Sequence, residues 1–347
     1  MIIKNTNENK PLVSAIVSTF KSERFIRGKI EDLLNQTIAK SLEIIIVNSG
    51  SPQNEDSIIK EYLPDNPNIK YIHTEERETV YKAWNRGIKA ASGKYITNSN
   101  TDDRLKKDAL EIFTGILEQN SDVALLWADQ VYSKKENETF DETAKDRIIK
   151  FPDYDFMQLL SRCIVGSQPI WRASLHFEDN IWFDDRFEAL GDHDFELSVA
   201  QKYRLMHISK PLGVFYKSPL RSNKEYENIA RNRQELNIIR DKHIGIYIDR
   251  LTEAMLDEKL KEFKKYIIVP FWFYMLMAKI LDIIYRKRMY RPILPYSIEF
   301  ISQFVKMAEL RKSNDAAVMK IEQRILRYNK IKNIALNIRN ILRGISV

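Results

Sequence analysis

The chain has a single cysteine, Cys163, in 347 residues, so no internal disulfide can form and a reducing compartment is the expectation. It also lacks a long apolar run. The longest, Ile267 to Ala278, has twelve residues including Pro270, and Lys279 and Asp282 interrupt its continuation. A membrane-crossing helix needs roughly twenty, so a dipping, in-plane or internally packed segment is expected there. Residues 1–10 carry no apolar stretch of the signal-peptide kind, which points to the cytoplasm. No Gly-x-Gly-x-x-Gly and no Gly-Lys-Ser/Thr occurs, which argues against a dinucleotide cofactor and against P-loop hydrolysis.

Charge is present but unevenly spread. The net charge is +7, yet residues 221–347 hold 26 Lys and Arg against 14 Asp and Glu, leaving 29 against 34 in residues 1–220. An acidic front and a basic rear suggest two tasks. In the rear, Lys320 to Val347 places Ile321, Ile325, Ile331, Ile334, Ile338, Ile341, Leu342 and Ile345 at helical spacing, among seven basic residues and one acid, Glu322. That pattern suits a helix lying on an anionic membrane surface, with packing on its own domain as the plainer alternative. Lys264-Lys265 and Arg286-Lys287-Arg288 flank the apolar run on both sides, without the one-sided bias of a crossing helix. Nucleic acid is not the expected partner, because no recognition motif accompanies the basic residues.

The front half alternates strand and helix patterns. Val13 to Thr19, Leu42 to Asn48, Ile69 to His73, Lys94 to Thr97 and Val123 to Ala128 read as strands, separated by helices over Phe25 to Thr37, Val80 to Ala91 and Ala109 to Glu118. This predicts an α/β, Rossmann-like, mostly parallel sheet with flanking helices, followed by a mainly helical C-terminal region. The expected division is a tail at 1–10, a catalytic domain at 11–220 and the basic region at 221–347.

One stretch stands out: Tyr95-Ile-Thr-Asn-Ser-Asn100-Thr101-Asp102-Asp103, a strand running into a loop with two adjacent carboxylates. Acids at the C-terminal end of a strand in such a sheet lie in its ligand-binding crevice. Two side by side repel each other unless a cation offsets them, and Mg²⁺ is usually held by one or two carboxylates together with substrate phosphates. A solvated turn with a capping aspartate is the plainer alternative.

The ordered motifs of the front half resemble the family 2 glycosyltransferases, which have the GT-A fold. Val13 to Phe20 is similar to their opening strand and turn, Leu33-Leu-Asn-Gln-Thr37 to the end of their first helix, and Glu43 to Ser51 to the strand and turn that bind the nucleotide base. Ala83-Trp-Asn-Arg-Gly-Ile88 and Ala91 to Ile96 lead toward the DXD position; Phe183 to Phe187 with Gly191-Asp-His-Asp194 resembles the block holding the catalytic base. Two departures are visible: Asn48-Ser49 replaces the acidic base-binding turn, and Asn100 stands at the first DXD position. Gln-x-x-Arg-Trp of the processive synthases is absent, which favours addition of one sugar.

The resemblance implies an inverting transferase that uses a nucleotide-diphosphate sugar and Mn²⁺ or Mg²⁺ held by Asp102 and Asp103. Asp192 would be the base, and Thr19, Phe20, Asn48, Ser49, Tyr81, Asn85, Arg86, Asn100 and Asp102 would surround the donor. Trp171, His193 and Asp194 would serve the acceptor or support the base, with Trp182 a second candidate for stacking on sugar and Lys217 and Arg221 weaker candidates for the diphosphate. A glycan or lipid-linked acceptor on the inner face of the membrane is expected, in surface glycan or glycolipid synthesis. The rival reading is a non-catalytic GT-A-like module, for glycan binding or scaffolding, in which Asn48 and Asn100 mark decay.

Overall fold

The computed structural model describes residues 10–218, 228, 230–240 and 242–243. They fall in a compact unit ending at Gly245. The strand and helix order is β1 (Val13–Thr19), α1 (Glu23–Leu34), β2 (Leu42–Ser49), α2 (Glu55–Tyr62), β3 (Ile69–Thr74), α3 (Val80–Lys89), β4 (Tyr95–Asn98), β5 (Arg104–Leu105), α4 (Ala109–Gln119), β6 (Val123–Ser133), β7 (Ile148–Ile149), α5 (Phe156–Ser161), β8 (Ile170–Arg172), α6 (Ser174–Phe177), α7 (Gly191–Ala200) and β9 (Arg204–Tyr216). Residues 230–240 form a further helix.

One sheet runs β3-β2-β1-β4-β8-β6-β9-β5, with β7 on β6. Its first four strands are parallel, as the isoleucine-rich runs predict: Ile16, Ile44, Ile45, Ile46 and Val47 are fully buried, which requires cover on both faces. The other half is mixed rather than mostly parallel. β8 lies antiparallel to both β4 and β6, β5 to β9 and β7 to β6, while β6 and β9 are parallel. The two-residue and three-residue strands β5, β7 and β8 are too short for a periodic signal. β9 escapes the sequence reading because it holds Pro211, tolerated where a register shift separates the Ala128–Ile208 and Asp129–Pro211 pairs. β6 runs past Ala128 because its buried polar residues are partnered: Gln130 donates to the Ser167 carbonyl at 2.6 Å and the Asp129 carboxylate accepts from Phe151 N–H at 2.9 Å.

No described helix is long and apolar enough to cross a membrane. Arg221, the apolar run 267–278 and the basic stretch 320–347 lie outside the described residues.

Candidate active site

The ends of β1, β2 and β4 meet in register, with Thr19 beside Asn48 and the Ser99 N–H donating to the Ile16 carbonyl at 2.8 Å. Thr19 Oγ1, Asn98 Oδ1 and Ser99 Oγ are buried without a hydrogen-bond partner. Orphaned polar atoms carry a desolvation cost, and their gathering at a strand-end crevice marks a place where a polar ligand would supply the missing bonds.

Asn48 and Ser49 are spent on the fold instead. The Asn48 amide donates to the Tyr71 hydroxyl at 3.1 Å and accepts from Ser51 N–H at 3.0 Å, while Ser49 Oγ accepts from Glu78 N–H at 2.5 Å. Both are buried, so they shape the turn rather than offer a free edge to a base. Gly50 completes that turn at φ 60, where a Cβ would lie 2.8 Å from the Glu76 carbonyl carbon. Beside it the Arg77 guanidinium lies over the half-buried Phe20 ring at 4.6 Å. The sequence reading missed Arg77, because Glu75-Glu76-Arg77 has the composition of a solvated loop.

The acidic loop separates its two carboxylates. Asp103 is 2% exposed; its oxygens accept from Tyr216 N–H at 3.0 Å and from the Asn100 amide at 3.4 Å. Burial, reinforced by the Asp102 charge, pushes its carboxyl up to about 7. Asp103 thereby ties the loop to β9. Asp102 is half-buried, and burial raises its carboxyl too, against the pull of Lys29, Arg104 and Arg24.

The floor beneath is cationic. Arg104, 1% exposed, donates to the Thr101 and Asp103 carbonyls at 2.8 and 2.7 Å and to Asn137 Oδ1. Fully buried Lys29 reaches Asp32 Oδ2 at 3.1 Å and Gln168 Oε1 at 3.0 Å, and Asp32 accepts from Leu105 N–H at 3.0 Å. These side chains pin both ends of the loop, and no sequence motif announced them.

Among the described residues, no group of three His, Cys, Asp or Glu side chains could hold a metal. Asp102, a half-buried carboxylate at the strand end, does fit a hard divalent ion that takes its other oxygens from a diphosphate and water.

The second part of the site is the start of α7. Helix α3 and α7 meet through an aromatic cluster: Phe183 stacks on Phe195 at 4.2 Å, Tyr81 on Phe183 at 6.1 Å, and Trp171 meets Phe195 at 5.3 Å. Trp171 is 1% exposed with its indole N–H on His176 Nε2 at 2.7 Å, so it has no face for a sugar. Trp182 is half-buried and bonds Asn180 at 2.9 Å.

Asp192 is not the N-cap of this helix, which is Leu190. It lies in the first turn, where an acid is stabilised by the helix N-terminus. Its Oδ1 accepts from His193 N–H at 2.8 Å and faces the Tyr81 hydroxyl at 3.4 Å. Of the α7 acids, Asp194 and Glu196 are buried and Asp192 is not. Burial raises the Glu196 carboxyl well above its ordinary range. His193, 1% exposed, donates from Nε2 to the Leu159 carbonyl at 2.5 Å, and burial lowers it to about 4, so it is a neutral structural residue. Asp194 is a supporting residue, bonded to Lys242 at 2.6 Å and His243 at 2.8 Å.

Two other α3 candidates are also engaged. Asn85 exchanges hydrogen bonds with the Phe183 backbone at 2.7 and 3.2 Å, and Arg86 makes two bonds to Glu78 at 2.9 and 2.6 Å. Arg86 remains 43% exposed at its side chain and lines an open groove of about 380 Å³ with Lys82, Lys89 and Asp185. Lys217, directly after β9, is held by its N–H on the Ser133 carbonyl at 2.9 Å.

Residues 14–174 match the family described as glycosyl transferase family 2. The uncharacterised glycosyltransferase YibD of Escherichia coli is 30% identical over 212 residues, covering 55% of this chain and 61% of that protein. MJ1057 of Methanocaldococcus jannaschii, also an uncharacterised glycosyltransferase, is 27% identical over 220 residues, 62% and 73% of the two chains. The S. aureus TarS 1–349 structure with UDP-GlcNAc superposes with a TM-score of 0.55 at 18% identity, covering 67% of this chain and 66% of that one. The chain thus spans about three-fifths of YibD, and the likeness to TarS identifies the mixed, helix-flanked sheet as the GT-A fold. The match to glycosyl transferase family 2 thus runs through residues 14–174, the part of the chain that carries β1, helix α3 and the acidic loop.

Proposed function

We propose that the protein transfers one sugar from a nucleoside-diphosphate donor to an acceptor hydroxyl, with inversion, using Asp192 as general base. The observation that carries this reading is the sorting of the α7 acids: Asp192 stays accessible while Asp194 and Glu196 are buried. An acceptor hydroxyl is a poor nucleophile, and a positioned carboxylate that takes its proton as it attacks lowers the barrier. A single displacement from the face opposite the leaving group inverts the anomeric carbon.

At the other part of the site, Asp102 would hold Mn²⁺ or Mg²⁺. Such an ion, when bound, neutralises charge on the departing diphosphate. Thr19, Asn98 and Ser99 supply polar atoms lacking partners, and Phe20 with Arg77 offers a cationic aromatic surface for the nucleoside. TarS was solved with UDP and with UDP-GlcNAc, so UDP-sugars are the first donors to test. The basic rear region supports an acceptor presented at an anionic membrane surface on the cytoplasmic side, as a glycan or lipid-linked sugar in surface glycan or glycolipid synthesis.

The test is turnover of a panel of nucleotide sugars with Mn²⁺ or Mg²⁺. Asp192→Asn should lower transfer by about 100-fold or more while leaving nucleotide binding intact. Wild-type rates in that variant would overturn the base assignment. Absence of metal-linked nucleotide binding in calorimetry would favour a binding module instead.

A further inference from the structure

Three consecutive backbone N–H groups lead into α7, and one side chain from far along the chain takes all three. Glu235, on the helix at 230–240, accepts from Glu188 at 2.9 Å, Ala189 at 3.0 Å and Leu190 at 2.9 Å. Glu235 is 6% exposed, so these bonds are shielded from competing water. The same helix makes a second attachment through Arg231, which pairs with Glu188 at 2.5 Å.

A third attachment closes on the far side of the turn. Asp194, fully buried, receives Lys242 Nζ at 2.6 Å and His243 Nε2 at 2.8 Å. His243 Nδ1 faces the Gln201 amide at 2.5 Å, which can donate to it; His243 then carries its proton on Nε2, toward Asp194. Residues 188–190 and 194 are thereby fixed from outside α7, and Asp192 sits between them. Asp192 Oδ1 accepts from the His193 N–H and faces the Tyr81 hydroxyl.

We propose that Glu235 is a positioning residue for Asp192, and that the helix at 230–240, with Lys242 and His243, forms a latch that sets the geometry of the catalytic turn. The inference rests on Asp192 acting as the base. A carboxylate accepting three N–H groups fixes both the position and the direction of the α7 N-terminus. The reacting oxygen of Asp192 must reach an acceptor hydroxyl within hydrogen-bond range, and a displacement of about 1 Å is enough to cost roughly 100-fold in rate. An amide at 235 keeps the shape but loses one accepting oxygen, so the turn loosens without a cavity opening.

The experiment is a double-mutant cycle on the full-length protein, read as donor turnover, KM for the donor and thermal midpoint. Glu235→Gln should reduce kcat by about 10-fold or more, with KM for the donor within about twofold and nucleotide binding unchanged. In the Asp192→Asn background the same substitution should have no further effect, because the group it positions is gone. Lys242→Met, at a side chain that is 43% exposed, should repeat the pattern more weakly. Independent, multiplying effects of Glu235→Gln and Asp192→Asn, or a loss confined to KM, would overturn the proposal. Failure of the transferase reading has a different signature: wild type and Asp192→Asn would turn over donor equally, and the latch would then have no catalytic role to play.

Discussion

A Cβ on Gly191 would lie 2.7 Å from Cδ2 of the Tyr81 ring, so the two residues fit only because one of them is glycine. Tyr81 cannot retreat: it is 2% exposed and held by Trp84 at 5.4 Å and Phe183 at 6.1 Å. This contact sets the distance between α3 and α7 one residue before Asp192.

Gly191→Ala is therefore expected to strain the turn. The loss of stability should be about 1–3 kcal/mol in urea denaturation, the usual cost of overpacking. Transfer activity should fall further than stability alone explains, with donor affinity preserved. A variant that is as stable and active as the wild type would show that α7 can shift freely.

Arg104→Met tests the floor of the acidic loop. Removing the guanidinium strands the Thr101 and Asp103 carbonyls and takes a counter-charge from Asp32 and Asp103. Breaking a buried charged network in this way costs about 3–5 kcal/mol. Chemical denaturation would reveal it, and calorimetry should show weaker nucleotide binding in the folded fraction at saturating Mn²⁺.

Buried titratable groups give stability an opposed pH dependence. Glu196 has its carboxyl raised above the unfolded value, so its contribution is fully present below the unfolded range near 4.5 and is lost as pH rises through the folded value. Glu196→Gln should thus gain on wild type as pH rises, with no gain at pH 4. His193 and His176 behave oppositely: burial lowers each to about 4 from 6.5, so stability is intact above 6.5 and declines as pH falls toward 4. The limit is about 3 kcal/mol per histidine. Thermal midpoints between pH 4 and 8 for wild type, Glu196→Gln and His193→Gln would separate the two slopes.

The basic C-terminal stretch makes its own prediction. Deleting residues 317–347 should weaken sedimentation with anionic vesicles at low salt, and added salt should weaken the wild type in parallel. Unchanged sedimentation after the deletion would place the membrane contact elsewhere or nowhere.

The parallel half of the sheet was legible because burial on both faces leaves a run such as Leu42 to Val47, and the α3 pattern survives because its apolar positions recur on one face. The antiparallel half was not legible. β8 is three residues long and enters the sheet after Gln168, whose φ of 58 turns the chain, and β9 hides a proline at a register shift. In the site, Asn48 and Arg86 looked like ligand contacts because their residue types can make them. The fold gives them Tyr71, Ser51 and Glu78 as partners first.

What the sequence determined by itself was the order of chemistry along the chain: a strand ending in Asn100-Thr-Asp-Asp103, an aromatic block at 183–187 and an acid-rich helix start at 191–196. Local spacing suffices for that, because period and composition are properties of neighbours. Only the tertiary structure decided which carboxylates remain available. Asp103 is taken by Tyr216, 113 residues away, and Asp194 by Lys242 and His243, 48 and 49 residues away. Side chains of one chemical type are told apart by burial and by partners from distant segments, and those are fixed only when the sheet closes and the helix at 230–240 docks on the turn that carries Asp192.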